Sequence, residues 1–225
     1  MGSLLVAVLP LAVGAAISPT LLALQLLVLT GTGGHRQARA WTLALGAAFV
    51  LAAFSILCVT ALQRVRPHHE PHRSTTEAAV LLASGALLGI LALRSAVRRP
   101  TVGERQPSRI AGHLDAAPTG WFLSVGALGM VVNFSTLLLV LPAMHEITRS
   151  TASTGSKLVV TAVLYVIVLL PVLAPVLLVT ALGSGADPLL DATHDWVGAH
   201  SRRIGVTIEV AFAAYLIVKG ISALP

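Results

Sequence analysis

The feature that most constrains this chain is a series of apolar runs, each about as long as a bilayer is thick. Five or six such runs follow one another, with short polar stretches between them. About 20 residues of helix span the roughly 30 Å hydrocarbon core. Only 11% of the 225 residues are charged, whereas a soluble domain carries roughly 25%, and a soluble core could not bury so much apolar surface. We therefore predict an all-α integral membrane protein with six transmembrane helices.

The predicted helices are separated by loops rich in arginine, glycine and proline. A further short helix is expected before the last span, because Asp187, Asp191 and Asp195 recur every four residues and so share one helical stripe. Apolar residues between them favour an amphipathic helix over 187–201 that lies in the membrane interface. The six spans are expected over residues 4–29, 41–62, 77–97, 119–141, 157–182 and 204–224.

The longest loop, 98–118, divides the chain into two halves of three helices, 1–97 and 119–225. Because three is an odd number, two such repeats would insert with opposite orientations, and inverted repeats with interrupted helices are typical of transporters. Nine Lys and Arg residues lie in or beside loops one, three and five, and five in loops two and four. The positive-inside rule then makes 98–118 a basic cytoplasmic linker and predicts the cytoplasmic membrane of the cell as the location.

The basic charge of the chain fits a membrane surface better than a nucleic acid. The formal net charge is +6, but the basic residues lie beside apolar runs, where they orient the chain and meet anionic headgroups. Cys58 is the single cysteine, so no intrachain disulfide can form. His68, His69 and His72 lie together in a loop without the spacing of a metal site. We therefore expect no nucleic-acid partner, no metal and no cofactor.

Polar residues in the first and fourth helices mark the candidate binding site. Pro19 follows Ser18 near the middle of the first helix, where a proline frees the carbonyl four residues earlier, and that carbonyl needs another partner inside a membrane. Asn133 holds the corresponding place in the fourth helix, and a buried amide can form up to four hydrogen bonds. Gln25 and Thr136 complete the predicted set. The alternative for Ser18-Pro19 is a structural kink, and the alternative for the other residues is a helix–helix contact.

Glu209 is predicted to lie about a turn and a half inside the last span. An ionisable group at that depth is costly and is by default a functional hypothesis. We predict that Glu209 couples transport to an ion. The alternative is a carboxylate that reaches the headgroups or pairs with a neighbouring helix.

Three stretches of the chain together resemble a known family. They are 9–29 with its Ser18-Pro19 pair and the Gly/Arg loop that follows, 113–141 from His113-Leu114-Asp115 through Asn133, and 188–221 from Pro188-Leu189-Leu190-Asp191 to Val218-Lys219-Gly220-Ile221. The sequence resembles the peptidoglycolipid- and sulfolipid-addressing proteins of actinobacteria, within the lysine-exporter (LysE) superfamily. Where that family has Asn-Pro-Lys-Asn, this chain has Asn133-Phe134-Ser135-Thr136. If the missing lysine takes part in transport, this protein handles a different ligand.

The resemblance implies an exporter that moves a lipid, a glycolipid or a small amphipathic molecule across the membrane by alternating access. Membrane lipids are then its surroundings, and a homo-oligomer is compatible with the sequence. Two other functions stay open. The chain could be an accessory subunit of a lipid-export system, or a membrane enzyme acting on a lipid-linked substrate. The enzyme would use His113 with Asp115, or Asp191 and Asp195 with His194.

Overall fold

The computed structural model describes residues 2–31, 35–64, 73–97 and 117–223, and all regular structure within them is helical. The predictions for the histidine loop and for His113, Asp115 and residues 98–116 lie outside the described residues. A short 3-10 turn, Gly183–Ala186, precedes the last helix. The helices are α1 Gly2–Ala16, α2 Pro19–Leu29, α3 Arg36–Arg64, α4 Arg73–Val97, α5 Trp121–Val132, α6 Phe134–Arg149, α7 Thr154–Leu182 and α8 Asp187–Ser222.

Four of these helices are long and apolar enough to cross a bilayer individually. They supply candidate spans over Arg36–Leu62, Ala78–Val97, Thr154–Leu182 and Arg203–Ser222. The pairs α1/α2 and α5/α6 pass the same test only jointly, and each pair is bent, by 53° and 71° respectively. The chain is therefore a multi-pass membrane protein, and its described residues contain four candidate spans, or up to six if each bent pair counts as one.

The first predicted helix, 4–29, is two helices because of Ser18 and Pro19. Proline has no N–H to donate, so α1 ends at Ala16 and a new helix begins at Pro19. The Ser18 backbone is extended, and its hydroxyl accepts a hydrogen bond from the Leu21 amide at 3.4 Å. Ser18 thus caps α2, the usual role of serine before a first helical turn.

The predicted fourth helix, 119–141, is likewise divided, at Asn133. Its backbone leaves the helical region at φ −77° and ψ 60°, and its side chain makes no capping bond to α6. The second helix of the pair extends to Arg149, well beyond the predicted end. Pro142 lies inside α6 without breaking it.

The separate interfacial helix predicted over 187–201 is wrong. Residues 187–222 form one continuous helix, α8. Between Leu189 and Glu209 there is no proline, and the two glycines, Gly198 and Gly205, keep helical geometry, so nothing there interrupts the helix. The predicted amphipathic character survives within it, since Leu190 and Val197 are buried whereas Leu189 and Trp196 are exposed.

The helices pack so that the two broken pairs contact each other. α4 packs along α8, α3 along α5, and α1 against both α6 and α7. At one end, Arg36 forms an ion pair with Asp187 at 2.9 Å, and Arg39 donates to the Ala117 carbonyl. At the other end, Lys219 donates to Glu146 at 2.5 Å. Arg36, Ala117 and Asp187 therefore lie at the same end of the bundle.

Candidate functional site

The two helix breaks are joined by one hydrogen-bond network. Pro19 cannot donate to the carbonyl of Ala15, which is the carbonyl four residues before it. The Thr136 hydroxyl donates to that carbonyl instead, at 2.9 Å, from the first turn of α6. The same hydroxyl accepts a bond from the Asn133 amide at 2.6 Å. The break in the first half of the chain is thus stabilised by a polar side chain from the second half.

A polar cavity of about 230 Å³ lies beside this network. Its polar lining comes from four elements and combines hydroxyl groups, one amide and one carboxyl group: Thr20 of α2, Ser95 of α4, Asn133 and Ser135 at the start of α6, and Ser201 and Glu209 of α8. Ser135 also donates to the Asn133 side-chain oxygen at 3.4 Å. We call this cavity the polar pocket.

Glu209 is the one ionisable residue among the described residues that line the polar pocket. Ser95 is hydrogen-bonded to its carboxyl group, and the second carboxyl oxygen, Oε2, is buried without a hydrogen-bond partner among the described residues. A buried carboxyl oxygen costs free energy unless something supplies it with a hydrogen bond. The structure therefore leaves one carboxyl oxygen of Glu209 unpaired, among the described residues, beside the polar pocket that this residue lines.

An apolar groove of about 710 Å³ adjoins the polar pocket. It lies between α1 and α2 on one side and α7 and α8 on the other, and Pro171 and Pro175 of α7 are part of its wall. Ile17 and Pro19 line both cavities. The break between α1 and α2 is therefore the junction between a polar and an apolar compartment.

The family comparison covers all of these elements. The family model described as Sap, sulfolipid-1-addressing protein, matches residues 8–222, which include both helix breaks and Glu209. The chain belongs to the Sap family. No curated protein and no solved structure matches it. The sequence resemblance to sulfolipid-addressing proteins is thus confirmed, and the family relates the protein to lipid handling.

Most of the residues predicted for the site of this Sap-family protein lie around the two cavities. Pro19, Asn133 and Glu209 line the polar pocket, and Ser18 lines the apolar groove. Thr136 lines neither cavity, but its hydroxyl accepts a hydrogen bond from the Asn133 amide. Gln25 lines neither cavity: it is fully buried, and its side-chain amide donates to the Ala40 carbonyl of α3 at 3.2 Å. For Gln25 the structure therefore shows a helix–helix contact.

Of the residues named for an enzyme, the three that the structure describes do not converge on either cavity. Asp191 and Asp195 are exposed, and neither they nor His194 line the polar pocket or the apolar groove. Within the described part of the chain, no group of three His, Cys, Asp or Glu residues is arranged to hold a metal ion.

Sequence reasoning missed Ser201 and Gly205 of the polar pocket. A signal for them existed, because Ser201, Gly205 and Glu209 follow one another at four-residue intervals and so lie on one stripe of α8. Ser95 was missed for a different reason: it lies on α4, and only the tertiary packing of α4 along α8 brings it to Glu209.

Replacing Thr136 by valine should destabilise the protein by about 1–3 kcal/mol, the cost of leaving a buried polar group unpaired. The substitution keeps the side-chain shape but removes the donor to Ala15 and the acceptor for Asn133. Thermal unfolding in detergent measures the effect. Thr161→Val is the matched control, because the Thr161 hydroxyl bonds only to Lys157 within its own helix. Equal melting temperatures for the two variants would contradict a stabilising link between the breaks.

Proposed function

We propose that this Sap-family protein moves an amphipathic lipid across the membrane, with the headgroup in the polar pocket and an acyl chain in the apolar groove. The observation that carries the proposal is the junction of the two cavities at Ile17 and Pro19. A lipid has one polar and one apolar part, joined at a single point, and the two cavities are arranged in the same way. Ligand sites usually have volumes of about 300–1,000 Å³, and the groove falls in that range.

The proposed transport mechanism is alternating access by two inverted repeats, each made of a broken helix and two continuous ones. Reciprocal packing supports the repeat: α2 packs on α7 and α8, whereas α6, its counterpart, packs on α3 and α4. α1 packs on α7 as α5 packs on α3. Discontinuous helices at the interface between repeats are where transporters bind substrates. An accessory subunit needs no cavity for a ligand of its own, so the two cavities favour a carrier instead.

Energy for such transport is proposed to enter through Glu209. It is the ionisable group nearest the break in α1/α2 among the described lining residues, and ionisable residues within spans often relay protons or ions. We further propose the cytoplasmic membrane as the location, with the end that carries Arg36, Asp187 and Ala117 facing the cytoplasm. A place within the LysE superfamily is part of the same proposal.

The sharpest test of the groove is a substitution that fills it. Ala174 lies on α7, is exposed, and lines the groove. Ala174→Trp should lower the amount of copurified lipid by roughly tenfold or more, a loss of about 1.4 kcal/mol of binding or greater, because the indole occupies the space proposed for the acyl chain. Native mass spectrometry of protein extracted from its own membrane measures bound lipid directly.

Ala162→Trp is the matched control, since Ala162 is an exposed residue of the same helix and does not line the groove. It should retain the lipid. If both variants carry as much lipid as the unmodified protein, the groove does not hold an acyl chain and the proposed function fails.

A further inference from the structure

The polar pocket has an electrostatic character that bears on which headgroup it accepts. Among the described residues that line it, none is Lys, Arg or His, and one is an acid, Glu209. A phosphate or sulfate needs cationic or strongly donating partners, usually arginine or lysine, when it leaves water. Here it would instead meet the carboxyl group of Glu209, whose Oε2 atom has no hydrogen-bond partner among the described residues.

The N-terminus of α6, beside the pocket, is the feature that would most favour an anionic ligand. A helix N-terminus carries about half a positive charge, and Asn133 leaves it without a side-chain cap. In its ionised form the Glu209 carboxylate carries a full negative charge, which outweighs the half charge of one helix end. The N-terminus of α2, the other helix that begins at a break, offers fewer free N–H donors to an anion. Its first residue is proline, which has no N–H, and the Leu21 amide already donates to the Ser18 hydroxyl.

The hydrogen-bonding groups of the lining favour a ligand that donates hydrogen bonds. Side-chain oxygens of Ser95, Asn133, Ser135, Ser201 and Glu209 are the acceptors, and the serine hydroxyls and the Asn133 amide can also donate. A sugar presents several hydroxyl groups of this dual kind. An ammonium headgroup offers at most three donors and no acceptor, so the hydroxyl and amide donors of the lining would find no partner in it.

Resting on the proposed lipid function, we infer that Glu209 is a specificity-determining residue that excludes anionic headgroups, and that the polar pocket takes an uncharged, hydroxyl-rich sugar headgroup. This inference sets the chain apart from a carrier of a sulfated lipid, although its family is named for one. The headgroup would lie in the polar pocket beside Glu209, and its acyl chain would pass the Ile17 and Pro19 junction into the groove.

Two lipids that differ in one charge test the inference. Monoglucosyl diacylglycerol and sulfoquinovosyl diacylglycerol with the same acyl chains share a hexose and differ by a sulfonate. Their dissociation constants for the full chain in detergent can be measured by native mass spectrometry. The unmodified protein should bind the uncharged lipid roughly tenfold or more tightly, because one charge pair a few ångströms apart near a protein surface is worth at least that factor.

Glu209→Gln should shrink that ratio by roughly tenfold, whatever it does to either affinity alone, because the repelling charge is gone and the side-chain shape is kept. Asp191→Asn is the control: it removes the same charge from the same helix, but Asp191 is exposed and lines neither cavity. The control should leave the ratio unchanged.

The possible failures are distinguishable. Equal binding of the two lipids, or tighter binding of the sulfonated one, overturns the inference and leaves lipid binding standing. A preference that Glu209→Gln does not alter overturns the role of Glu209. Binding of neither lipid counts against the proposed function itself.

Discussion

Gly126→Ala should lower the melting temperature of this protein by roughly 10 °C. Gly126 of α5 faces α3 so closely that an added Cβ would overlap the carbonyl oxygen of Leu43. The contact is reciprocal, because a Cβ on Gly46 of α3 would overlap the Leu123 carbonyl. Overpacking costs about 1–3 kcal/mol when side chains can move aside, and more where backbone blocks the way. In a chain of this size each kcal/mol corresponds to about 2–4 °C.

The matched control for this substitution is Gly198→Ala. A Cβ at Gly198 meets no atom within 4 Å, and alanine is the better helix former by about 1 kcal/mol. Its melting temperature in detergent should stay the same or rise. If Gly126→Ala unfolds at the same temperature as Gly198→Ala, the two helices do not approach backbone to backbone. Small residues at helix crossings are the usual way membrane helices pack closely.

The sequence predicted the local chemistry of the fold better than its long-range partners. Pro19 was enough to predict that the carbonyl of Ala15 would need a new donor. It could not name Thr136, because that donor lies 121 residues away and is brought close only by packing of α1 on α6. In the same way, a glycine permits close helix packing but does not name its partner. The structure places Gly85 of α4 against Ile217 of α8.

The apolar groove was beyond the reach of sequence patterns for a physical reason. Its walls are ordinary apolar residues such as Leu170 and Leu178. In a membrane helix such residues face lipid, neighbouring helices or a cavity with the same composition, so hydropathy does not separate these environments. Polar residues within spans are rare and therefore informative, which is why Asn133 and Glu209 were found from the sequence.

The inverted arrangement predicted from three helices per half stays a prediction. The bends of 53° and 71° lie near the start of each half, a feature the sequence indicated through Ser18-Pro19 and Asn133. The continuous α8 was missed because the change from a charged to an apolar pattern near Arg203 resembles a helix boundary. The residues on both sides of Arg203 are helical, so the helix continues through this change of pattern.

Gly205→Leu should strongly weaken headgroup binding without lowering the stability of the fold. Gly205 lies on the polar stripe of α8 and lines the polar pocket. A Cβ there comes no closer than 3.9 Å to another group, Cγ of Pro19. The backbone is therefore not strained, and leucine gains nearly 1 kcal/mol of helix propensity over glycine. The rest of the leucine side chain must occupy a cavity of only about 230 Å³, so affinity for a lipid headgroup should fall by roughly a hundredfold, or about 2.7 kcal/mol.

Gly198→Leu makes this result interpretable, because it adds the same side chain seven residues earlier on the same helix, in open space. That variant should bind lipid as the unmodified protein does, and both variants should unfold at the original temperature or above it. Retained binding in Gly205→Leu would place the headgroup elsewhere. Loss of binding in Gly205→Leu together with loss in Ala174→Trp, each at full stability, would mean that one ligand needs both compartments, as a lipid spanning the junction at Ile17 and Pro19 must.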